Sequence, residues 1–199
     1  MDHQLDADYW NNRYLGGQTG WDIGYASTPL KTYIDQLADK SLRILVPGCG
    51  NAYEVKYLLE QGFENVTVID IAPALTAALE KELQVYLGTK LRVITGDFFS
   101  LTGHFDLVLE QTFFCALDPA LRKAYVQKMH MLLQPEGKLA GVLFNRHFEG
   151  GPPFGGGLAE YQILFATYFD IKKMEPCYNS IDSRNSSELF IILAAKPHQ

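Results

Sequence analysis

The sequence has few cysteines, and they do not form a recognisable ligand pattern. Cys49, Cys115 and Cys177 are the three cysteines among 199 residues. They are an odd number and widely spaced, with no Cys-x-x-Cys pair of the kind that binds zinc. Reduced thiols are the simplest interpretation, and they are typical of the cytoplasm. We therefore expect no metal site.

Basic residues and long apolar runs are also scarce. The chain has 17 lysines and arginines against 23 acidic residues, a formal net charge of -6. A protein that binds nucleic acid by its phosphates is usually basic, so nucleic acid is not an expected partner. No run of about 18 apolar residues could span a membrane, and residues 1–10 lack a signal-peptide pattern. We expect a cytoplasmic protein without a membrane partner.

The length and hydrophobic pattern predict one α/β domain. A chain of 199 residues that is 47% hydrophobic can bury a sizeable core. From Leu42 onward, apolar strands alternate with amphipathic helices, which is typical of a parallel sheet with helices on both faces. The predicted strands are 43–47, 66–70, 91–95, 105–110 and 138–144, and the predicted helices are 52–61, 73–87, 119–133 and 158–167.

The two ends of the chain depart from this alternation. Residues 169–175 and 188–196 read as strands with only a polar loop between them, so they should pair antiparallel. The result is a seven-stranded, mostly parallel sheet with an antiparallel last strand. Residues 1–36 precede the predicted core of 42–196. Within them, helices are predicted from Asp6 to Tyr14 and from Thr28 to Leu37.

A glycine turn follows the first strand of the core. Gly48 and Gly50 stand between Arg43-Ile-Leu-Val46 and a helical pattern, which resembles the start of a nucleotide-binding α/β unit. Glycines allow the backbone to approach a ligand closely, and the helix N-terminus directs its amides at that ligand. Asp70 ends the next strand, 20 residues after Gly50, where a carboxylate can accept both hydroxyls of a ribose.

The turn lacks the third glycine of the dinucleotide motif, because Tyr53 occupies that position. That glycine serves close packing beneath a pyrophosphate. S-adenosylmethionine (SAM) has a ribose and an amino-acid tail but no phosphate, so the turn favours SAM. The alternatives are a tight turn without a ligand and a nicotinamide dinucleotide. A dehydrogenase would need a further substrate domain, for which no chain remains.

Candidate site residues also follow the third and fourth strands. Asp97 and Phe98 could accept the adenine amine and cover the base. The alternative for Asp97 is a capping residue in a turn. Residues 110–114 follow the fourth strand, near the expected position of a transferred methyl group. Phe113 and Phe114 could equally cap the core.

Six motifs together resemble the thiopurine S-methyltransferase family, and within it the branch of halide and thiol methyltransferases. They are TGWDIGYASTPL (19–30), LVPGCGNAYEV (45–55), VIDIAPAL (68–75), GDFF (96–99), EQTFFCALDPALRKAY (110–125) and EGGPPF (149–154). The resemblance extends over roughly residues 9–193. It implies a single Rossmann-like class I methyltransferase domain with an N-terminal helical lid formed by residues 1–36. One departure is Asn51-Ala52, where the plant halide enzymes have further glycines.

The resemblance also implies roles for individual residues. The implied cofactor-binding residues are Trp10, Trp21, Gly48, Gly50, Asp70, Ile71, Asp97, Phe98 and Glu110, and the implied catalytic residues are Thr112, Phe113 and Arg122. Arg122 stands near the start of a helix, where a cation opposes the helix dipole. A functional role or an ion pair is therefore expected for it. It could hold the cofactor carboxylate or attract an anionic substrate.

The predicted activity is methyl transfer from SAM to a small thiol, a halide or thiocyanate, or to a thiopurine-like acceptor, with S-adenosylhomocysteine (SAH) as product. A soft nucleophile needs no strong base, which agrees with the lack of a Ser-His-Asp triad or a histidine cluster. Substrate preference is expected to depend on residues 155–161 and 177–187, and His147 is the one histidine placed near the pocket. The alternatives are a SAM-binding protein without activity and a methyltransferase with an unrelated small acceptor. A monomer or a weak oligomer is expected.

Overall fold

The computed structural model describes residues 5–198 of the chain, which form one seven-stranded sheet flanked by helices. The strands are β1 (Arg43–Pro47), β2 (Asn65–Asp70), β3 (Leu91–Thr95), β4 (Phe105–Gln111), β5 (Leu133–Phe144), β6 (Phe169–Pro176) and β7 (Glu188–Ala195). Their order across the sheet is β3-β2-β1-β4-β5-β7-β6. The first five strands pair in parallel, and β7 is antiparallel to both of its neighbours. The predicted sheet is confirmed.

The helices agree with the prediction in number and order; the first is displaced by one residue, and the other five are shorter than predicted. They are α1 (Ala7–Leu15), α2 (Thr28–Ile34), α3 (Tyr53–Glu60), α4 (Pro73–Glu82), α5 (Arg122–Leu132) and α6 (Leu158–Ala166). The predicted helix 119–133 begins as a 3-10 turn at Pro119–Leu121, where the Asp118 carboxylate accepts a hydrogen bond from the backbone N–H of Ala120. The predicted helix 73–87 ends at Glu82 and is followed by a separate 3-10 turn at Gln84–Tyr86.

The fifth strand starts earlier than the sequence predicts. Pro135–Gly137, between the predicted helix 119–133 and the predicted strand 138–144, lie inside β5, where the pairing with β4 shifts register between Phe105 and Leu107. Glu136 takes a positive φ of 65° there. The extra residues form a bulge, which lets the strand continue on either side of an irregular segment.

The core lies on both faces of the sheet, because successive strand residues point to opposite sides. Ile44 and Val46 of β1 belong to an apolar cluster with α2, α3 and α4. Leu45, between them, belongs to a second cluster with α5 and α6. The helices therefore cover both faces, which leaves the edge at the strand ends free to bind a ligand.

The carboxyl ends of the first four strands meet at one edge of the sheet, and the N-terminal segment lies across it. Parallel pairing brings Pro47 beside Ile69 and Asp70 beside Thr95. Helix α1 is tied to this edge by the Asn11 amide oxygen, which accepts a hydrogen bond of 2.8 Å from the backbone N–H of Ala74. No helix within residues 5–198 is long and apolar enough to cross a membrane.

The close contact between β4 and β5 makes a testable prediction at Gly141. A Cβ atom there would lie 2.0 Å from the carbonyl oxygen of Glu110, so we expect Gly141→Ala to lower the free energy of unfolding by about 1–3 kcal/mol or more. Urea denaturation measures this change. Gly20→Ala is the control, since a Cβ there meets no atom within 4 Å. Equal unfolding midpoints for the two variants would contradict the packing.

Candidate active site

A cavity of about 680 Å³ opens at the carboxyl edge of the sheet. It is lined by the ends of β1 to β4, by the N-terminal segment and by the loop between β6 and β7. Ten of the site residues predicted from the sequence line it: Trp10, Trp21, Gly48, Gly50, Asp70, Ile71, Asp97, Phe98, Thr112 and Phe113. Glu110 and Arg122 do not line it.

The glycine turn needs its glycines for two different reasons. Gly48 and Gly50 have φ values of 55° and 52°, in the left-handed region that favours glycine. A Cβ on Gly48 would also lie 2.3 Å from the Phe113 ring. The turn after β1 and the loop after β4 are therefore packed directly against each other.

Asp70 places a buried carboxylate in the wall beside this turn. It is 7% exposed, and its two oxygens accept hydrogen bonds from the backbone N–H groups of Gly50, at 3.4 Å, and Ala72, at 3.0 Å. Burial raises the pKa of this carboxyl to about 6. Two vicinal hydroxyls are suitable donors for the remaining acceptor sites of its oxygens.

Asp97 and Phe98 both line the cavity and stabilise the local fold. The Asp97 carboxylate caps a 3-10 turn by accepting a 2.9 Å hydrogen bond from the backbone N–H of Phe99, and the same residue lines the cavity. The Phe98 ring is buried and packs edge-on against Phe113, with centroids 5.1 Å apart. This end of the cavity therefore offers a flat apolar surface beside a carboxylate.

The N-terminal segment forms the aromatic side of the cavity. Trp10, Arg13 and Tyr14 share one face of α1, because residues three and four apart are neighbours on a helix. The Trp21 ring packs edge-on against Trp10 and Tyr14, with centroid distances of 5.6 and 5.9 Å. Sequence reasoning missed Tyr14 and Arg13, although their spacing from Trp10 was a signal that they face the same way.

The same segment is anchored to the glycine turn by Asp22. Its carboxylate accepts hydrogen bonds from the Asn51 amide and the Tyr53 hydroxyl. The Tyr14 hydroxyl also lies 3.4 Å from the position that a Cβ on Gly50 would take. These contacts hold the N-terminal segment over the turn.

Glu110, predicted among the cofactor ligands, lies behind the wall of this cavity. It is fully buried. One carboxylate oxygen accepts hydrogen bonds from the backbone N–H groups of Phe113 and Phe114, at 2.8 and 2.9 Å, and the other accepts a 2.6 Å bond from the Tyr125 hydroxyl. Burial raises the pKa of Glu110 to about 7 against these three donors. Its side chain fixes the loop after β4.

That loop includes a residue in an unfavourable backbone conformation. Thr112 has a φ of 57°, which is costly for a β-branched side chain. Such strain is concentrated at functional sites, where the surrounding structure enforces it. The bonds from Glu110 to the two following amides provide that enforcement, and they turn Thr112 and Phe113 toward the cavity.

Arg122 is also absent from the cavity wall, so the expected contact with cofactor or substrate is not found. Its guanidinium is ion-paired with Glu160 at 2.5 Å and donates a 2.6 Å hydrogen bond to the carbonyl of Gly155. It lies 5.0 Å from the centroid of the Phe114 ring, on the outer side of the loop. Glu160 offsets the unfavourable interaction between Arg122 and the helix dipole. Of the two roles expected for Arg122, a functional role or an ion pair, the structure has the ion pair.

Arg184, in the loop between β6 and β7, is a mostly buried cation that lines the cavity. Its side chain is 12% exposed, and it donates a 2.9 Å hydrogen bond to the carbonyl of Trp21. The loop 177–187 was expected to influence substrate preference, and it contributes Ser183, Arg184 and Ser187 to the wall. Residues 155–161 do not line it, and His147 is exposed outside it.

The sequence profile of the thiopurine S-methyltransferase family matches residues 5–190. The chain belongs to this family. Thiocyanate methyltransferase 1 of Brassica oleracea is 31% identical over 188 residues, which are 90% of this chain and 81% of that protein. Thiopurine S-methyltransferase of Pseudomonas syringae pv. tomato is 28% identical over 190 residues, 85% of this chain and 86% of that enzyme. Probable thiol methyltransferase 2 of Arabidopsis thaliana is 30% identical over 77% of this chain and 69% of that protein.

Solved structures show the same fold. The 1,6-didemethyltoxoflavin-N1-methyltransferase of Burkholderia thailandensis, with bound SAH, superposes with a TM-score of 0.75 at 20% identity, over 96% of this chain and 87% of that one. Magnesium protoporphyrin IX methyltransferase from Synechocystis, also with SAH, gives 0.73 at 14% identity, over 96% and 98%. The class I methyltransferase fold is confirmed.

Membership of the thiopurine S-methyltransferase family confirms the predicted enzyme class and the predicted cofactor, SAM. The residues present fit that cofactor. The left-handed turn at Gly48 and Gly50 lines the cavity without side chains, and the buried Asp70 carboxylate lines it beside the turn. The roles of the individual site residues stay predictions, as do the cytoplasmic location, the oligomeric state and the lack of nucleic-acid or membrane partners.

The assignment of Asp70 to the ribose predicts how SAH affinity depends on this carboxylate and on pH. Hydrogen bonds to a charged group contribute about 1.5–3 kcal/mol, so we expect Asp70→Asn to weaken SAH binding by roughly 10- to 100-fold in calorimetry. Only the ionised carboxylate accepts both hydroxyls. Since burial raises the pKa of Asp70 to about 6, wild-type affinity should fall as the pH drops below that value. A pH-independent affinity in the wild type, or unchanged affinity in Asp70→Asn, would contradict the assignment.

Proposed function

We propose that this enzyme transfers the methyl group of SAM to a small soft nucleophile, namely a thiol, thiocyanate or a halide. The observation that carries the proposal is the composition of the cavity. A polar half contains the glycine turn, Asp70 and Asp97, and an apolar half contains a mostly buried cation, Arg184. The names of the relatives, which are thiocyanate, thiol and thiopurine methyltransferases, support the same class of acceptor.

The polar half supplies a contact for each part of the cofactor. The turn at Gly48 and Gly50 would receive the methionine end. Asp70 would accept the ribose hydroxyls, and Asp97 would accept the adenine amine, with Phe98 against the base. When bound, SAM supplies an electrophilic methyl carbon on a sulfonium whose leaving group is a neutral thioether.

The apolar half excludes water from the acceptor. Leu117, Phe144, Phe148 and Pro152 line it together with Phe113. Closing such a site removes the hydration shell of an anionic nucleophile and strengthens every remaining electrostatic contact. Soft anions lose less by desolvation than small hard anions, so this wall favours sulfur and heavy halides over oxygen.

Arg184 gives that half its preference for negative charge. The Trp21 carbonyl fixes its guanidinium at 2.9 Å, and its side chain is mostly buried. Arg146 also lines the cavity, with its guanidinium carbon 4.7 Å from the Phe148 ring centroid, but it is exposed. Of the two, Arg184 is the better placed to hold a desolvated anion.

The chain's main contribution to the reaction is alignment. In-line displacement by a soft nucleophile needs the partners close and collinear, and effective molarities of about 10⁵–10⁸ M show how much orientation alone can supply. The strained turn at Thr112 carries Phe113 to the boundary between the two halves. An aromatic face there would also attract a sulfonium by about 0.5–2 kcal/mol.

We propose further that residues 1–36 act as a lid over the core of residues 42–196. Arg184 and Asn51 hold the described part of this segment at Trp21 and Asp22. Residues 1–4 lie outside the described residues. Arg122 has no contact with the cavity in this scheme. It supports the outer side of Phe114 and the chain at Gly155.

The direct test is an acceptor panel with SAM. We expect SAH formation with thiocyanate, iodide or a small thiol, detected together with the volatile methylated product by headspace gas chromatography. Phenol compared with thiophenol is the matched oxygen control, and we expect no methylation of phenol. Binding of SAH without methylation of any soft acceptor would refute the proposal and favour a SAM-binding protein without this activity.

A variant tests the proposed role of Arg184 in holding the acceptor anion. Loss of a charged hydrogen bond or ion contact costs about 1.5–3 kcal/mol, so Arg184→Met should lower kcat/KM for thiocyanate by roughly 10- to 100-fold. Arg146→Met, at the exposed position, should have a smaller effect. Equal effects of the two variants on kcat/KM would contradict the proposed role of Arg184 in binding the anion.

A further inference from the structure

A second, much smaller cavity lies directly behind the acceptor half of the site. Its volume is about 10 Å³, and its polar lining residues are Glu110, Thr112, Cys115 and Glu188. Thr112, Cys115 and Phe144 line both cavities, so the two cavities adjoin at these residues. Val142, Leu143 and Phe144 complete the wall of the smaller one, and its volume is about the smallest that holds one water.

Glu188 is the carboxylate on the far side of that space. It is the first residue of β7, paired with Phe144 of β5, and it is 5% exposed. Its ion pair with Arg184 is long, at 3.6 Å. Burial raises the pKa of Glu188, and the opposing effects of Ser180 and Arg184 do not cancel the shift.

Glu110 also lines the second cavity, but its carboxylate oxygens already accept hydrogen bonds. Its two oxygens accept three hydrogen bonds from Phe113, Phe114 and Tyr125, so a proton on it would cost one of these bonds. Glu188 has two side-chain partners instead, Ser180 and the more distant Arg184. The other titratable groups at this place are Arg184, Cys115 and Cys177, and burial raises the pKa of both thiols.

Thiol acceptors have a requirement that thiocyanate and halides lack. When a thiol is methylated, a carbon–sulfur bond forms to the acceptor, the carbon–sulfur bond of the sulfonium breaks, and the S–H proton must leave. In a dry pocket water does not collect that proton. A base within reach, directly or through one water, is therefore needed.

We propose that Glu188 accepts, through one water in the second cavity, the proton that a thiol acceptor gives up, and that Arg184 then stabilises the thiolate. The proton transfer moves one negative charge from the Glu188 carboxylate to the acceptor sulfur, and both positions adjoin the same guanidinium. The number of charges in the pocket does not change, which avoids the cost of creating a new buried ion. This inference rests on the proposed function.

The test compares acceptors with and without a proton in the variant Glu188→Gln. General base catalysis contributes about 10²–10⁴-fold, so kcat with 2-mercaptoethanol should fall within that range. The rate with thiocyanate or iodide should change little. SAH affinity in calorimetry should match the wild type, which also shows that the variant folds.

Acceptor ionisation supplies a second readout that a purely structural residue would not give. An aliphatic thiol has a pKa of about 8.5 or higher, so at higher pH it arrives as thiolate without needing a base. The deficit of Glu188→Gln with 2-mercaptoethanol should therefore shrink as the pH rises. With thiophenol, which is already ionised, the deficit of Glu188→Gln should be small over the whole pH range.

A matched control is Glu175→Gln, which removes an exposed carboxylate on the neighbouring strand β6. It should leave both acceptor classes unaffected. An equal loss with thiol and thiocyanate in Glu188→Gln would show that Glu188 only positions Arg184, and would overturn the inference. Should the wild type methylate thiols alone, thiophenol takes the place of thiocyanate in this comparison.

Two further outcomes keep the inference separate from folding and from the proposed function. Should Glu188→Gln not fold, the solvent deuterium isotope effect on kcat of the wild type replaces it as the test. A normal isotope effect with 2-mercaptoethanol and none with thiophenol would support the proton transfer. Equal isotope effects with the two acceptors would overturn it. A wild type that binds SAH but methylates no acceptor would refute the proposed function instead.

Discussion

The buried Glu110 carboxylate is the interaction on which the geometry of the site depends. By accepting the amides of Phe113 and Phe114 it forces the chain through the strained turn at Thr112. The Phe113 ring then occupies the space that a side chain at Gly48 would need. A single fully buried group therefore couples the glycine turn of the cofactor half to the loop that borders the acceptor half.

Charge is distributed unevenly between the two sides of this loop. Arg122, on the outer side, is neutralised by Glu160 at 2.5 Å. Arg184, on the cavity side, has a long contact with Glu188 at 3.6 Å, a hydrogen bond to a backbone carbonyl and the Phe144 ring at 5.6 Å. A cation that is buried but incompletely compensated attracts an anionic ligand more strongly than one already paired. This difference explains why the acceptor is assigned to Arg184.

Local sequence patterns predict the sheet and the cofactor half, because both depend on residues near one another in the chain. Strand alternation, the spacing of Gly48 and Gly50, and the position of Asp70 after β2 are all local. The positions of Arg122 and Arg184 depend instead on residues that are distant in the sequence. They depend on Glu160, 38 residues after Arg122, and on the pairing of Phe144 with Glu188, which brings the last loop to the carboxyl edge. The inward direction of Glu110 likewise becomes visible only once Tyr125 is packed against it.

The most direct test of the division into two halves is a crystal structure of the enzyme with SAH and thiocyanate. The ribose should lie at Asp70 and the adenine at Asp97 and Phe98. The homocysteine end should lie over Gly48 and Gly50, with thiocyanate between Phe113 and Arg184. A nucleoside bound away from Asp70, or thiocyanate bound away from Arg184, would contradict the account.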